Sequence, residues 1–465
     1  MGDIGKARRK PSRNPQFDTI LQMPVNPRHQ RTISDVTIEP NEYDELPSLA
    51  RNWAAKSLVP PFWGQDPLAF LKNLPRMDSF SAYVITLMLA EGKTLAGTNH
   101  SIDSVGNFWF PFVQESALLC QFRELLTSPD ILRAIYLGSL SKLEPIALEY
   151  YLSTISCVES RLASPNSDIA ASNAVMNAVM ALICYNFVNH DFDQALVHVK
   201  GLGLVIAARG GISRLQDNDE LRLMIFWVDV TASLLYELKP QFPFPSDLVP
   251  TIMPSPYPAM MPTPLINVWD AEPTSESPTR RMLSCIAELN AVAALIDSEL
   301  AAKGDDMWKD ERFMGLRLNP ITHRLLDLPR QDRPMAQPDL LLEALRLGAI
   351  LWIIWIKRRY RAYPGTCTTY VSRLLDLLSI QQYRNQVSSA LDDVSVQLWL
   401  LVLCVISSES AGARTTAMHA IAWKMRQLGW RTWVDVMIHV RQMPWTDAFE
   451  ALCAELGREV EDRVK

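Results

Sequence analysis

"HVKGLGLVIAARGGISRL", His198 to Leu215, places four glycines and two arginines in eighteen residues. It reads either as a glycine-rich loop that cradles a phosphate or as a helix with a stop. A dinucleotide loop needs a preceding strand and GxGxxG; here Gly201-Leu202-Gly203 runs on into Leu204, Val205 and Ile206 with no third glycine in place. A P-loop needs a GK[ST] ending, which is absent. Leu196, Val199, Leu202, Val205 and Ile206 instead fall on one helical face. Gly201 and Gly203 inside that repeat each weaken it by up to ~1 kcal/mol relative to alanine, and their use is close approach of a neighbouring helix. Gly210-Gly211 follow the last periodic residue, where a left-handed residue caps a helix, and Arg209 faces the negative end of the helix dipole. The stretch is therefore expected to be a helix ended by a double glycine.

The same period extends in both directions. Upstream, Met176, Val179, Met180, Ile183 and Phe187 form one face of a helix expected to start at Ser167-Asp168, and "PIALEYYLSTISCVESRLAS" precedes it. Earlier helical patterns are "SFSAYVITLMLAE", "SALLCQFRELLTS" and "DILRAIYLGSL". Downstream, Asp219 is the expected N-cap of a helix with the stripe Leu221, Ile225, Val228, Ala232 and Leu235, ended by Pro240, Pro243 and Pro245. A Pro/Ser/Thr-rich connection covers about 242–278. Helices resume with "RRMLSCIAELNAVAALIDSELAA", "ITHRLLDL", "PDLLLEALRLGAILWIIWIKRRYRAY" and "TYVSRLLDLLS", and continue to the amphipathic C-terminal "WTDAFEALCAELGREVEDRV". Alternating, strand-like segments are scarce. The expected fold is all-α, a large array of antiparallel helices over residues 46–465, behind a disordered basic tail over 1–45.

The 465 residues carry 45 Lys/Arg and 51 Asp/Glu, so bulk charge does not make the molecule a polyanion binder. Basic charge is local: up to Ser34 the tail has seven Lys/Arg against two Asp, with Lys6, Arg8, Arg9, Lys10 and Arg13 clustered. That cluster is a nuclear-import or nucleic-acid-contacting arm, or simply a solvated tail. The seven cysteines form no CxxC, which leaves no zinc ribbon and no redox pair, and they read as reduced core residues. The most apolar runs, "GAILWIIWI" and "VSVQLWLLVLCVI", are short of the roughly 20 residues of a membrane span. No membrane association is expected.

Chemistry-bearing clusters are few. His190 and His198 are eight apart across a turn, without CxxC or HExxH, and read as a loop residue and a helix residue. "DDMWKDE" (Asp305, Asp306, Asp310, Glu311) is the one acidic group that could hold magnesium in a helical enzyme acting on prenyl diphosphates, and it reads as a surface turn. No GxSxG occurs. "KRRYR", Lys357 to Arg361, reads as the solvated, dipole-capping end of an apolar helix. No catalysis, cofactor or metal is expected.

"ALVHVKGLGLVIAARGGISRL" followed by "LMIFWVDVTASLLYELKPQFPFP" resembles the regulatory region of fungal zinc binuclear-cluster transcription factors. The matching positions are His198, Gly201, Arg209, Gly210, Gly211, Trp227, Asp229, Pro240 and Phe242, and the Leu-Trp-rich C-terminal section is similar as well. The resemblance covers about residues 80–460 and implies a nuclear transcription regulator. Its partners would be other regulators or a second copy of itself, with a small-molecule effector among its inputs. The family's six-cysteine DNA-reading module has no counterpart, the first cysteine being Cys120, so direct sequence-specific DNA binding is not expected. The alternatives are a magnesium-dependent isoprenoid enzyme built on Asp305 and Asp306, and a helical interaction scaffold with no effect on transcription. In physical terms the family positions look structural: Asp229 in mid-helix needs a partner if buried, and Arg209 is the expected one.

Overall fold

The structure is a computed structural model that describes residues 144–216, 218–249, 260–272, 277–309, 311–329, 337–360, 363, 365–383 and 393–464. Those residues are helices joined by turns, with no strand among them. They divide into two compact units, and the boundary falls inside one helix, between Val228 and Asp229.

In the first unit α1 (Glu144–Leu162) is followed by the single turn α2 (Ser167–Ala170), then α3 (Asn173–Val188) and α4 (Phe192–Ala208). The expected start at Ser167-Asp168 divides in two. Asn166 caps α2, and Ser172 caps α3 by accepting from the Val175 N–H. The hydroxyl of Ser172 supplies a start that the apolar spacing alone placed a turn too early. All five predicted face residues of α3 are buried, and so are Val175, Ala178, Ala181, Leu182 and Cys184. The helix is enclosed on nearly every side, which is where an almost wholly apolar helix belongs. The stretch Ser167–Phe187 has the length and apolarity of a membrane span, and 67% of its most apolar window is buried. The α3–α4 turn runs through His190, a left-handed residue at φ 55°, while the Asp191 N–H closes on Asn186 O at 2.9 Å.

Helix α5 (Asp219–Tyr236) carries the unit boundary. Its cap is Asn218, whose Oδ1 accepts from the Leu221 N–H at 3.0 Å, one residue before the expected Asp219. The helix stops ahead of its prolines. Glu237 adopts φ 51° and the Leu238 N–H reaches back to Ser233 O at 2.8 Å, a left-handed cap built on a residue other than glycine.

The second unit contains the end of α5, then α6 (Ile266–Ala271), α7 (Pro278–Lys303), α8 (Glu311–Asp327), α9 (Gln337–Arg359), α10 (Thr368–Tyr383), α11 (Val394–Ser407), α12 (Ala411–Leu428), α13 (Trp433–Val440) and α14 (Glu450–Val464). One apolar core joins them, with Trp352 and Trp399 fully buried at its centre. The short α6 lies within the proline-rich 242–278 stretch and holds Trp269, over which the Arg280 guanidinium stacks at 3.4 Å. Helix α8 begins ten residues before the expected "ITHRLLDL" segment and carries Pro320 inside it. Asp393 caps α11, its carboxylate accepting from the Ser395 and Val396 N–H groups. Close approach is paid for with small residues: a Cβ on Gly348 of α9 would lie 2.4 Å from Leu400 Cδ2 of α11, and one on Gly457 of α14 would lie 2.6 Å from the Trp433 ring of α13.

Candidate functional site

The opening stretch is a helix with a stop. Helix α4 runs to Ala208, the Gly210 and Gly211 N–H groups bond Ala207 O and Ile206 O at 2.9 Å each, and both glycines have positive φ, 99° and 94°. The chain before it is the turn from α3, so nothing strand-like leads into the glycines.

His198 is buried in α4 and bonds Tyr151 Oη through Nε2 at 3.1 Å. Burial pushes the imidazole down to about 4 and the Tyr151 phenol up. A neutral ring nitrogen therefore accepts from the phenol, and the phenol oxygen accepts from Asn186 Nδ2 at 3.2 Å. The same amide donates to Leu182 O at 3.0 Å. This chain of neutral bonds ties α1, α3 and α4 together, and it matches the helix-residue reading of His198. His190 sits exposed on its turn against the Phe192 ring. Gly201 and Trp227 are buried.

The expected Arg209–Asp229 pair is corrected. Arg209 donates to Ala171 O at 3.2 Å and to Asn173 Oδ1, so it covers the α2–α3 break. Asp229, 2% exposed, accepts from the backbone N–H of Gln241 at 3.1 Å and of Phe242 at 2.9 Å, with Ser233 Oγ at 3.5 Å. Prolines at 240, 243 and 245 leave few amides in this turn, and Asp229 takes the two between Pro240 and Pro243. From the other side His323 Nε2 donates to Phe242 O at 2.9 Å, with its ring near Phe244. Lys239 pairs with Asp327 at 2.8 Å, and Arg281 holds the same carboxylate at 2.8 Å. Pro240 is buried. Burial raises the Asp229 carboxyl to about 6 even though the two amides favour its ionised form. Sequence spacing pointed to a partner for Asp229 but missed its kind, because a backbone amide leaves no trace in side-chain identity.

The turn begins at a buried ion cluster that the sequence did not disclose. Glu237 pairs with Arg346 and with Arg373 at 2.5 Å, while Glu343 holds Arg346 at 2.7 Å and Arg373 at 2.8 Å. Arg346 and Glu343 are 2% and 3% exposed. Hydrogen bonds and charges from the two arginines outweigh burial and hold the Glu237 carboxyl below its usual range.

The "KRRYR" run is also corrected, since its first residue is not solvated. Lys357 is buried and donates to Asn319 Oδ1, and burial pushes its amine down to about 7. Arg358 bonds Glu409 and Gly365 O; Arg359 lies over the Trp308 and Trp355 rings. Asp305 and Asp306 are exposed on the 3₁₀ turn Gly304–Lys309, with Arg359 3.9 Å from Asp305. Among the described residues no three His, Cys, Asp or Glu side chains are grouped as a metal site. Lys6, Arg8, Arg9, Lys10 and Arg13 lie outside the described residues, as do the three earliest predicted helices.

The chain has no significant match to a family model, to a curated protein or to a solved structure.

Proposed function

We propose that this protein is a nuclear transcription regulator of the fungal zinc-cluster type. It acts through its helical body by contact with other regulators or with a second copy of itself, and it performs no catalysis. The observation that carries the reading is the Asp229 carboxylate on the Gln241 and Phe242 amides. Two parts of the resemblance, the Trp-x-Asp helix and the proline-aromatic stop, are thereby one physical feature. The glycine stop supports it as well, because its Gly210 and Gly211 amides close the helix end on Ala207 O and Ile206 O. Of the acidic group, Asp305 and Asp306 lie exposed on their turn, and Asp310 lies outside the described residues.

The test is to tether the full chain to a heterologous DNA-binding domain upstream of a reporter. The expected result is a shift in reporter output that Asp229→Ala removes. A folded, expressed fusion that leaves the reporter at the level of the DNA-binding domain alone would leave only an interaction scaffold. Magnesium-dependent release of diphosphate from a prenyl substrate would replace the regulator with an enzyme.

A further inference from the structure

Lys357 lies on α9 with 2% exposure, and its amine donates to Asn319 Oδ1 of α8 at 2.5 Å. No carboxylate among the described residues pairs with it. The ion pairs and hydrogen bonds of the described charged groups on α8 and α9 go to other partners. On α8, Arg324 grips Glu288 of α7, His323 bonds Phe242 O, Asp327 takes Lys239 and Arg281, and Arg317 is half-buried. On α9 itself, Arg358 pairs with Glu409, and Arg359 covers Trp308 and Trp355 beside Asp305. An ammonium in such a place has one neutral acceptor and no anion, so the buried amine is favoured without its proton.

A second weakness lies on the same turn. Pro320 sits inside α8 next to Asn319 and has no N–H, which leaves the Leu316 carbonyl without its helical donor. The helix is thinnest in backbone bonds where its neighbour carries a cation-forming group.

We propose that Lys357, Asn319 and Pro320 form a proton-linked joint between α8 and α9, which opens by taking up a proton that the closed joint refuses. The direction follows from linkage. The closed amine titrates near 7 and a hydrated one near 10.5. Between those values only the open joint is protonated, so the closed joint gains as pH rises through this window. Below about 7 both forms carry the proton and the dependence flattens.

Amide hydrogen exchange on the full chain from pH 7 to 9.5, corrected for intrinsic exchange rates, reads this directly. Protection across Asn319–Arg324 should rise with pH, approaching tenfold per unit, and Lys357→Met should remove the slope. Wild-type protection that does not change with pH, or a slope that survives Lys357→Met, would overturn the joint. Should that variant not fold, the Lys357 side-chain carbon shifts in the wild type decide. A neutral amine at pH 8.5 is expected, and a charged one contradicts the proposal.

Discussion

Gly211 adopts φ 94° and ψ 173°, a region that residues with a Cβ rarely enter. Gly211→Ala should therefore lower stability by about 1–3 kcal/mol, read as a fall in denaturation midpoint. His190 has the opposite problem: it holds φ 55°, with its ring edge-on to Phe192 and its N–H on Phe187 O. His190→Gly should raise stability by up to about 1 kcal/mol, whereas a histidine needed as a ligand would show loss of function instead. At Asp229 the two stranded amides decide the outcome. Asp229→Ala should cost about 1–3 kcal/mol, since it removes the acceptor of the part-buried Gln241 and Phe242 amides. Asp229→Asn should cost less, because one side-chain oxygen continues to accept, and Asp229→Lys should unfold the domain. The carboxyl also has a pH signature. Its folded value, about 6, is above the ordinary 3.8, so the folded state holds the proton more tightly. The stability it contributes is present below the ordinary value and is lost as pH rises from about 4 through about 6. Subtracting the Asp229→Asn pH profile from the wild type should isolate that fall.

At the scale of elements, packing and ion pairing explain what local pattern did not reveal. The apolar stripes named from α3, α4 and α5 are buried except at Leu196 and Leu235, which are half-buried, because a 3.6-residue period reports directly on a buried face. The helix ends were harder. Asn218 and Ser172 took the caps, and Pro320 stayed inside α8, because the choice among neighbouring polar residues depends on tertiary partners. Lys357 illustrates the limit: a run of five residues with four cations looks solvated in sequence, yet the helix places its first member in the core. Glu237 is another case. A left-handed residue other than glycine costs roughly 1–2 kcal/mol, and here it places the carboxylate against Arg346 and Arg373. Arg346→Met should destabilise the second unit by up to about 3–5 kcal/mol, since it leaves two buried carboxylates to share Arg373 alone. Gly348→Ala places a methyl against Leu400 and Trp399 and should cost about 1–3 kcal/mol by overpacking. Thermal denaturation of both variants checks these values.

Across the whole molecule the all-α class was legible because almost every apolar segment carries the helical period. The two-unit division was not, since it cuts α5 between Val228 and Asp229 and a continuous helix gives no compositional sign of a boundary. The candidate site was legible in its members and not in its wiring. Asp229 and Pro240 stood out by type and order, but the amides and the imidazole that join their segments are long-range partners. If the body works by contact, self-association should appear as an average mass that rises with concentration in light scattering. An entirely helical path into the double glycine underlies both the fold and the site. Backbone ¹³C chemical shifts of the full chain across residues 192–215 test this most directly. Helical shifts through Ala208 and positive-φ shifts at Gly210 and Gly211 are expected; extended shifts leading into His198, with amide shifts at the glycines that move on adding phosphate, would overturn the helix-and-stop reading.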